Sequence, residues 1–272
     1  MKSNLIIVEG IPGSGKSTTA NFIKEHLEKG GVKVKLFQEG DTSHPADYES
    51  AACLNEGQFN AVLEKFPQHR ESIKEYAEKK GDHYFISYRN FLDMDSSLVE
   101  HLASYDVYEL DLDTFEDVSY NYWKEFVEET VFGDDVCIFE CCFLQNPFTK
   151  FIAMHNAEPE RLENHLKKIS SLIAPLNPLL VYFHQENLEQ SFNHVYEERS
   201  QEWREFFTDY HMNQGYGKEN ELKGYKGLVE FLEMRRDLEL RILEGLPVRH
   251  MLIENGDKDW DTYYEKMKEA IK

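Results

Sequence analysis

Long apolar runs are absent from this chain. No stretch approaches the roughly 20 residues a helix needs to cross a bilayer. The beginning of the chain lacks the apolar region of a secretion signal, so a cytoplasmic protein without a membrane partner is expected. Basic residues are scarce: 30 Lys and Arg stand against 51 Asp and Glu, a formal net charge of −21. A surface this acidic repels nucleic acid and anionic lipid, and no basic stretch stands out against it. Nucleic acid is therefore not an expected partner, and any anionic ligand needs a local, shielded site. Cysteine is limited to Cys53, Cys137, Cys141 and Cys142, spaced for neither a zinc site nor a CxxC redox pair. They read as reduced thiols. The 11 histidines show no HExxH or comparable metal-ligand spacing. Repeats, low-complexity tracts and Pro/Ser-rich linkers are missing too, so residues 1–272 read as one large domain with room for an insertion.

Short apolar runs, by contrast, recur. Leu5–Val8, Val32–Phe37, Val136–Phe139, Leu179–Phe183 and His250–Ile253 read as strands, several continuously apolar as in a parallel strand covered on both faces. Between them lie helical patterns over 16–29, 159–173, 188–207, 228–243 and 260–271. Residues 48–132 read as mainly helical, acidic and rich in Tyr and Phe, the place of an insertion on the side of a second substrate. Strands alternating with helices predict an α/β fold: a five-stranded parallel sheet with helices on both faces and a helical insertion.

The first strand runs into Gly10-Ile-Pro-Gly13-Ser14-Gly15-Lys16-Ser17-Thr18, a match to G-x-x-x-x-G-K-[ST]. Chance alone produces such a match in a chain of this length about once in a hundred, and the flanking strand and helix are the context the motif requires. Glycines reach backbone angles closed to other residues and let the chain pass close to phosphate oxygens. Successive N–H groups then form an anion nest at the helix N-terminus. Residues 10, 13–18 are thus the expected nucleotide-binding residues, with Lys16 reaching the outer phosphates and the Ser17 hydroxyl ligating Mg²⁺.

Other residues sort the kinds of nucleotide-binding protein. Ile253-Glu-Asn-Gly-Asp-Lys258 is not a guanine-reading NKxD motif, no DxxG follows the third strand, and that strand ends in Glu140 rather than the Asp of motor ATPases. A small-molecule kinase needs a carboxylate near the acceptor hydroxyl and a mobile arginine over the transferred phosphoryl. Glu39 or Asp41 meets the first need, at the carboxyl end of the second strand, with His44 close in sequence. For the second, a helical wheel from Leu188 places Arg199 with Phe192, Val195, Trp203 and Phe206 on an inward stripe, and Arg204 on the opposite face. Arg199 is either the lid or a buried ion-pair member; Arg235, inward on the next long helix, carries the same two readings. Tyr84, Phe85, Tyr88, Tyr120, Tyr122 and Trp123 serve either base stacking or the core. Arg89 binds a substrate anion or a surface carboxylate, and Gln145-Asn146 lies placed to read an acceptor's polar edge.

These residues resemble the P-loop kinases of the thymidylate kinase and deoxynucleoside kinase type. The resemblance implies a P-loop NTPase three-layer sandwich, ATP and Mg²⁺ as cofactors, Glu39 as base, Glu140 beside Mg²⁺, and an arginine lid over 188–245. It also places Asn255-Gly-Asp-Lys-Asp259 at the adenine. The Phe-Glu-Cys-Cys-Phe run and the Gly-Tyr-Gly loop are similar to a bacterial subgroup of P-loop proteins. Three departures stand out: Cys141 replaces the family's arginine after the strand-three acid, Asn193 stands near the first lid arginine, and the second strand lacks the Arg-Gly signature. The expected function is ATP-dependent transfer of a phosphoryl group to a hydroxyl of a nucleoside, nucleotide or other small metabolite, catalysed by Lys16, Glu39 and Arg199. Mg²⁺ would sit on Ser17 and Glu140; the acceptor would meet Glu39, Asp41, His44, Tyr88, Arg89 and Gln145. The acidic acceptor side and the missing arginine tilt toward an unphosphorylated acceptor. The other class is an ATP-binding regulator that hydrolyses slowly and acts through a protein partner. A homodimer is the expected assembly.

Overall fold

The computed structural model describes residues 3–271. Along the chain run β1 (Leu5–Gly10), α1 (Lys16–Lys29), β2 (Val34–Phe37), β3 (Ala51–Asn55), α2 (Glu56–Lys65), α3 (Arg70–Tyr76), β4 (Ala77–Lys80) and β5 (His83–Ser87). There follow α4 (Ser96–Ala103), α5 (Leu112–Thr130), β6 (Val136–Glu140), α6 (Gln145–Phe148), α7 (Pro159–Ile173), β7 (Leu179–His184) and α8 (Leu188–Glu198). The chain ends with α9 (Gln201–Met212), α10 (Gly215–Glu219), α11 (Gly224–Gly245), β8 (Arg249–Glu254) and α12 (Trp260–Ala270). Of the described residues, those up to Glu39 and from Tyr120 onward form one compact unit, and Gly40–Ser119 form a second.

The first unit is built on a five-stranded sheet in the order β2-β6-β1-β7-β8, every pairing parallel. Its central strands are the continuously apolar runs, because they must bury both faces. Alternate residues divide between the faces. Ile6, Val8, Ile138, Val181 and Phe183 pack with Ala20 and Ile23 of α1 and with Tyr263 and Met267 of α12. On the opposite face Phe139 meets Trp123 and Phe126 of α5, ring centroids 5.7 and 4.7 Å apart. The result is the three-layer α/β sandwich of P-loop NTPases. Ile138 is fully enclosed; truncating it to Ala would leave a cavity and cost about 2–5 kcal/mol. β1 lies at the centre, where the strand order reverses, so the crevice past its carboxyl end is the natural ligand position.

The second unit departs from the expectation of a mainly helical stretch over 48–132. β3, β5 and β4 form an antiparallel sheet in that order. A two-residue turn, Gly81-Asp82, joins β4 to β5, with Gly81 at φ 56; that is hairpin chemistry. Ala52, Leu54, Val62, Ile73, Ile86 and Leu98 share its core. Asn55 starts α2 with a capping box to Gln58.

A second correction concerns residues 188–207, expected as one helix. α8 stops at Glu198, Arg199 is extended (φ −82, ψ 153), and α9 begins behind Ser200. The Ser200 hydroxyl caps the new helix by accepting the N–H of Trp203 at 3.2 Å. The break resets the helical phase, and Phe206, expected inward, is 67% exposed. Among the described residues no helix is long and apolar enough to cross a membrane.

Candidate functional site

β1 delivers the glycine loop to the middle of the sheet. Val8 pairs with Glu140 on one side and Gly10 with Phe183 on the other. Gly10, Gly13 and Gly15 all have positive φ, at 145, 79 and 91. Crowding adds to the backbone demand. A Cβ at Gly13 would lie 2.3 Å from Val195 of α8, and one at Gly15 2.3 Å from Trp260 of α12. α1 then starts at Lys16. The Lys16 side chain is buried and folds back over the loop, its Nζ donating to the Ile11 carbonyl at 3.0 Å. Ser14 Oγ is buried and has no partner among the described residues, while the Ser14 carbonyl accepts from Asn255 Nδ2 at 2.7 Å. Asn255 in turn accepts from Gln185 Nε2. Ser17 and Thr18 are exposed in the first helical turn. An orphaned buried hydroxyl, a lysine and open helix-start amides are the donor set a polyphosphate requires.

Glu140 ends β6 with its side chain buried. Ser17 Oγ donates to Glu140 Oε1 at 2.5 Å, across 123 residues of chain. Hydroxyl and carboxylate oxygens so placed suit a hard divalent cation. The next residue, Cys141, has φ 69, a strained angle for a residue with a side chain. Its Sγ donates to Glu39 Oε2 at 3.5 Å, and Gln145 Nε2 donates to Glu39 Oε1 at 2.7 Å. Burial pushes the Cys141 thiol well above its ordinary range, against a smaller opposing pull from Lys16. It is therefore a protonated donor rather than a nucleophile. Donor atoms of Glu39, Glu140 and Cys141 all lie within 4.8 Å of one another. Glu39 itself is exposed, which leaves its carboxylate accessible to a ligand.

Sequence reasoning thus names Lys16, Ser17, Glu140, Glu39 and Gln145 as one neighbourhood, and the structure brings them together. Asp41, His44, Tyr88 and Arg89 belong to the second unit. The Asp41 carboxylate accepts from Ser43 Oγ and N at 2.7 and 2.8 Å, and the hydroxyl bond first among causes holds it below its usual range. His44 Nδ1 accepts the Ala46 N–H at 3.0 Å, and burial pushes the imidazole down to about 4, so it is neutral. Tyr88 donates to Asp106 Oδ2 at 2.9 Å, and burial raises Asp106 to about 6. Arg89 bonds Glu49 and Ser50, both at 3.1 Å. Tyr84 stacks on Phe59 at 4.0 Å and Trp123 packs at a tilt against Phe139, so these two aromatics serve the cores.

The three arginines separate. Arg199 is exposed at the joint between α8 and α9, its guanidinium 5.3 Å from the Trp203 ring. The wheel that placed it inward does not run through the joint. Arg204 is half-buried, 5.7 Å from the Tyr196 ring, with its Nε lacking a partner among the described residues. Arg235 is buried in an ion pair: its Nε donates to Glu239 Oε1 at 2.9 Å, and Tyr182 donates to Glu239 Oε2 at 2.7 Å. A cleft of about 490 Å³ opens between α8 and the β8–α12 loop, lined by Asn187, Gln190, His194, Asp257 and Lys258 among others. One residue escaped the sequence reading: Glu9, buried in β1 directly ahead of Gly10. Its signal was a single carboxylate at the end of an apolar strand.

No protein-family model matches the sequence, and no curated protein matches it. Among solved structures, a thymidylate kinase from Candida albicans is similar to this chain, with a TM-score of 0.40 and 15% sequence identity over 99% of this chain and 91% of that one.

Proposed function

We propose that this chain is an ATP-dependent small-molecule kinase that transfers the γ-phosphoryl group to a hydroxyl of a nucleoside-like or other hydroxylated metabolite. The 2.5 Å contact between Ser17 and Glu140 at the head of the glycine loop is the observation that carries this reading. It joins the start of α1 to the end of β6, where a nucleotide's metal ion is needed. Mg²⁺ held there by Ser17 and Glu140 would draw negative charge from the phosphates. The loop amides from Gly13 to Thr18 and the Lys16 side chain bind the phosphates, and the orphaned Ser14 hydroxyl donates to them. The α8 to β8–α12 cleft admits the nucleobase, and its polar lining suits a heterocycle's edge. Glu39, oriented by Gln145 and Cys141, accepts the proton of the acceptor hydroxyl or holds that hydroxyl in line. Arg199, exposed on the α8–α9 joint, is assigned to cover the transferred group, with Arg204 the alternative. Near Glu39 the first unit offers carboxylates, a thiol and an amide, and this favours an acceptor without a phosphate of its own.

ADP release measured against a library of hydroxylated metabolites tests the proposal. A signal that rises with one compound and disappears in Glu39→Gln supports it. ATP binding with no acceptor-stimulated turnover sinks it and favours the regulator acting through a protein partner.

A further inference from the structure

Glu9 is the one carboxylate in β1. Its side chain is wholly buried. Oε1 accepts the backbone N–H of Phe143 at 2.8 Å and that of Leu144 at 2.7 Å, and Oε2 accepts that of Gln145 at 3.3 Å. These amides head the turn that leads from Glu140 into α6. A buried carboxylate demands such partners, and three N–H donors at one helix entry supply them. The clamp therefore ties the strand end just ahead of Gly10 to a segment 134 to 136 residues away in sequence.

The same turn carries both groups that contact Glu39. Gln145 is held through its backbone by Glu9 and donates through its side chain to Glu39. Cys141 enters the turn at φ 69, an angle that persists only when surrounding contacts impose it. Beneath the clamp lie Arg235 and Glu239, whose opposite charges act on Glu9 in opposing directions. Glu9, Arg235 and Glu239 are all buried, and the hydrogen bonds that the Glu9 carboxylate accepts among the described residues come from the amides of this turn.

We propose that Glu9 is a positioning residue: by gripping the amides of Phe143, Leu144 and Gln145 it sets the turn so that Gln145 and Cys141 hold the Glu39 carboxylate in one orientation. The catalytic consequence rests on the kinase reading above; the clamp itself does not. Glu9 touches no reacting group. It joins the glycine-loop strand to the acceptor-side carboxylate through one turn.

The decisive measurement is the side-chain amide signal of Gln145 by NMR in the full chain, identified by its loss in Gln145→Ala. Glu9→Gln is expected to move that signal to the position of a solvated glutamine, as Glu39→Gln does, while MgADP affinity changes by less than about twofold. A folded Glu9→Gln chain with the Gln145 signal unmoved overturns the proposal. Should Glu9→Gln fail to fold, Glu9→Asp keeps the charge and shortens the reach, and the same signal decides. Turnover supplies a second arm, with thymidine as the probe hydroxyl compound. Glu9→Gln should slow ADP release about tenfold, but by less than about twofold in a Gln145→Ala background, because both act through one link. Losses that add in the double variant overturn the positioning role. If the unaltered chain shows no turnover with any hydroxyl compound, the kinase reading fails, and the NMR arm still decides the clamp.

Discussion

The Ser17 hydroxyl and the Glu140 carboxylate meet at 2.5 Å, bringing the first turn of α1 against the end of β6. Ser17 is exposed on α1, whereas Glu140 is buried at the carboxyl end of the interior strand β6. Two oxygens so close to a glycine loop make the divalent-ion contribution separable from the phosphate contribution. Ser17→Ala should weaken ADP binding at least about tenfold in magnesium buffer, a loss of about 1.4 kcal/mol. It should leave the much weaker binding in EDTA unchanged. Calorimetry in the two buffers checks this; a magnesium dependence that survives in Ser17→Ala removes the ion from this position.

Lys16 is buried and satisfied by the Ile11 carbonyl rather than by an acid. A cation held in this way can turn to an incoming phosphate without breaking an ion pair. Lys16→Ala should slow ATP turnover at least tenfold, or about 1.4 kcal/mol in barrier. Normal turnover in that variant refutes the phosphate role of the loop lysine.

The sheet was legible because its physics is local. Leu5–Val8, Val136–Phe139 and Leu179–Phe183 are continuous apolar runs, and only a strand covered on both faces needs one. The loop was legible because three positive-φ positions demand glycine. Ala77-Glu-Lys-Lys80 was not, since this edge strand carries no apolar alternation; only the Gly81-Asp82 turn announced it. The joint at Arg199 holds no proline or glycine, and a single capping serine decides it. Glu9 showed in the sequence only as a lone carboxylate in an apolar strand, and its role was out of reach because it depends on amides brought from residues 143–145 by the fold.

His211 is buried on α9, its Nδ1 within 2.8 Å of the Phe207 carbonyl, and burial pushes it down to about 4. The unfolded chain restores a value near 6.5. The unfolded state then binds more protons between these values, so the stabilisation is complete above about pH 6.5 and is lost as pH falls toward 4. Glu9 runs the other way: burial raises it to about 7, so its contribution is lost as pH rises toward that value. A variant difference isolates the histidine. His211→Asn keeps a donor near the Phe207 carbonyl and removes the titration. The stability advantage of the unaltered chain over this variant should shrink from pH 7 to pH 4.5, read from urea midpoints. Trp123, Trp203 and Trp260 all lie in the first unit, so their fluorescence reports the relevant transition. A pH-independent difference would show that His211 does not titrate in this window.

Arg199 and Arg204 sit five residues apart and differ in what holds them. Arg204 is half-buried against Tyr196, across the joint from its own helix. Arg199 is exposed, and its guanidinium faces the Trp203 ring with no ion pair to give up among the described residues. α8 is braced on the glycine loop, because Val195 fills the space beside Gly13. A cation at the end of that helix is therefore carried by an element packed against the loop proposed to hold the phosphates. Contacts formed in the transition state lower kcat when removed, and ground-state contacts do not. Arg199→Ala should reduce kcat at least about tenfold while the Kd for ATP changes by less than about threefold, in the direction known for mobile arginines that neutralise a transferring phosphoryl. Arg204→Ala should mainly lower the melting temperature by loosening the α8–α9 pair. If Arg204→Ala carries the kcat loss and Arg199→Ala does not, the assignments exchange, and the joint serves only to bring α9 across the loop.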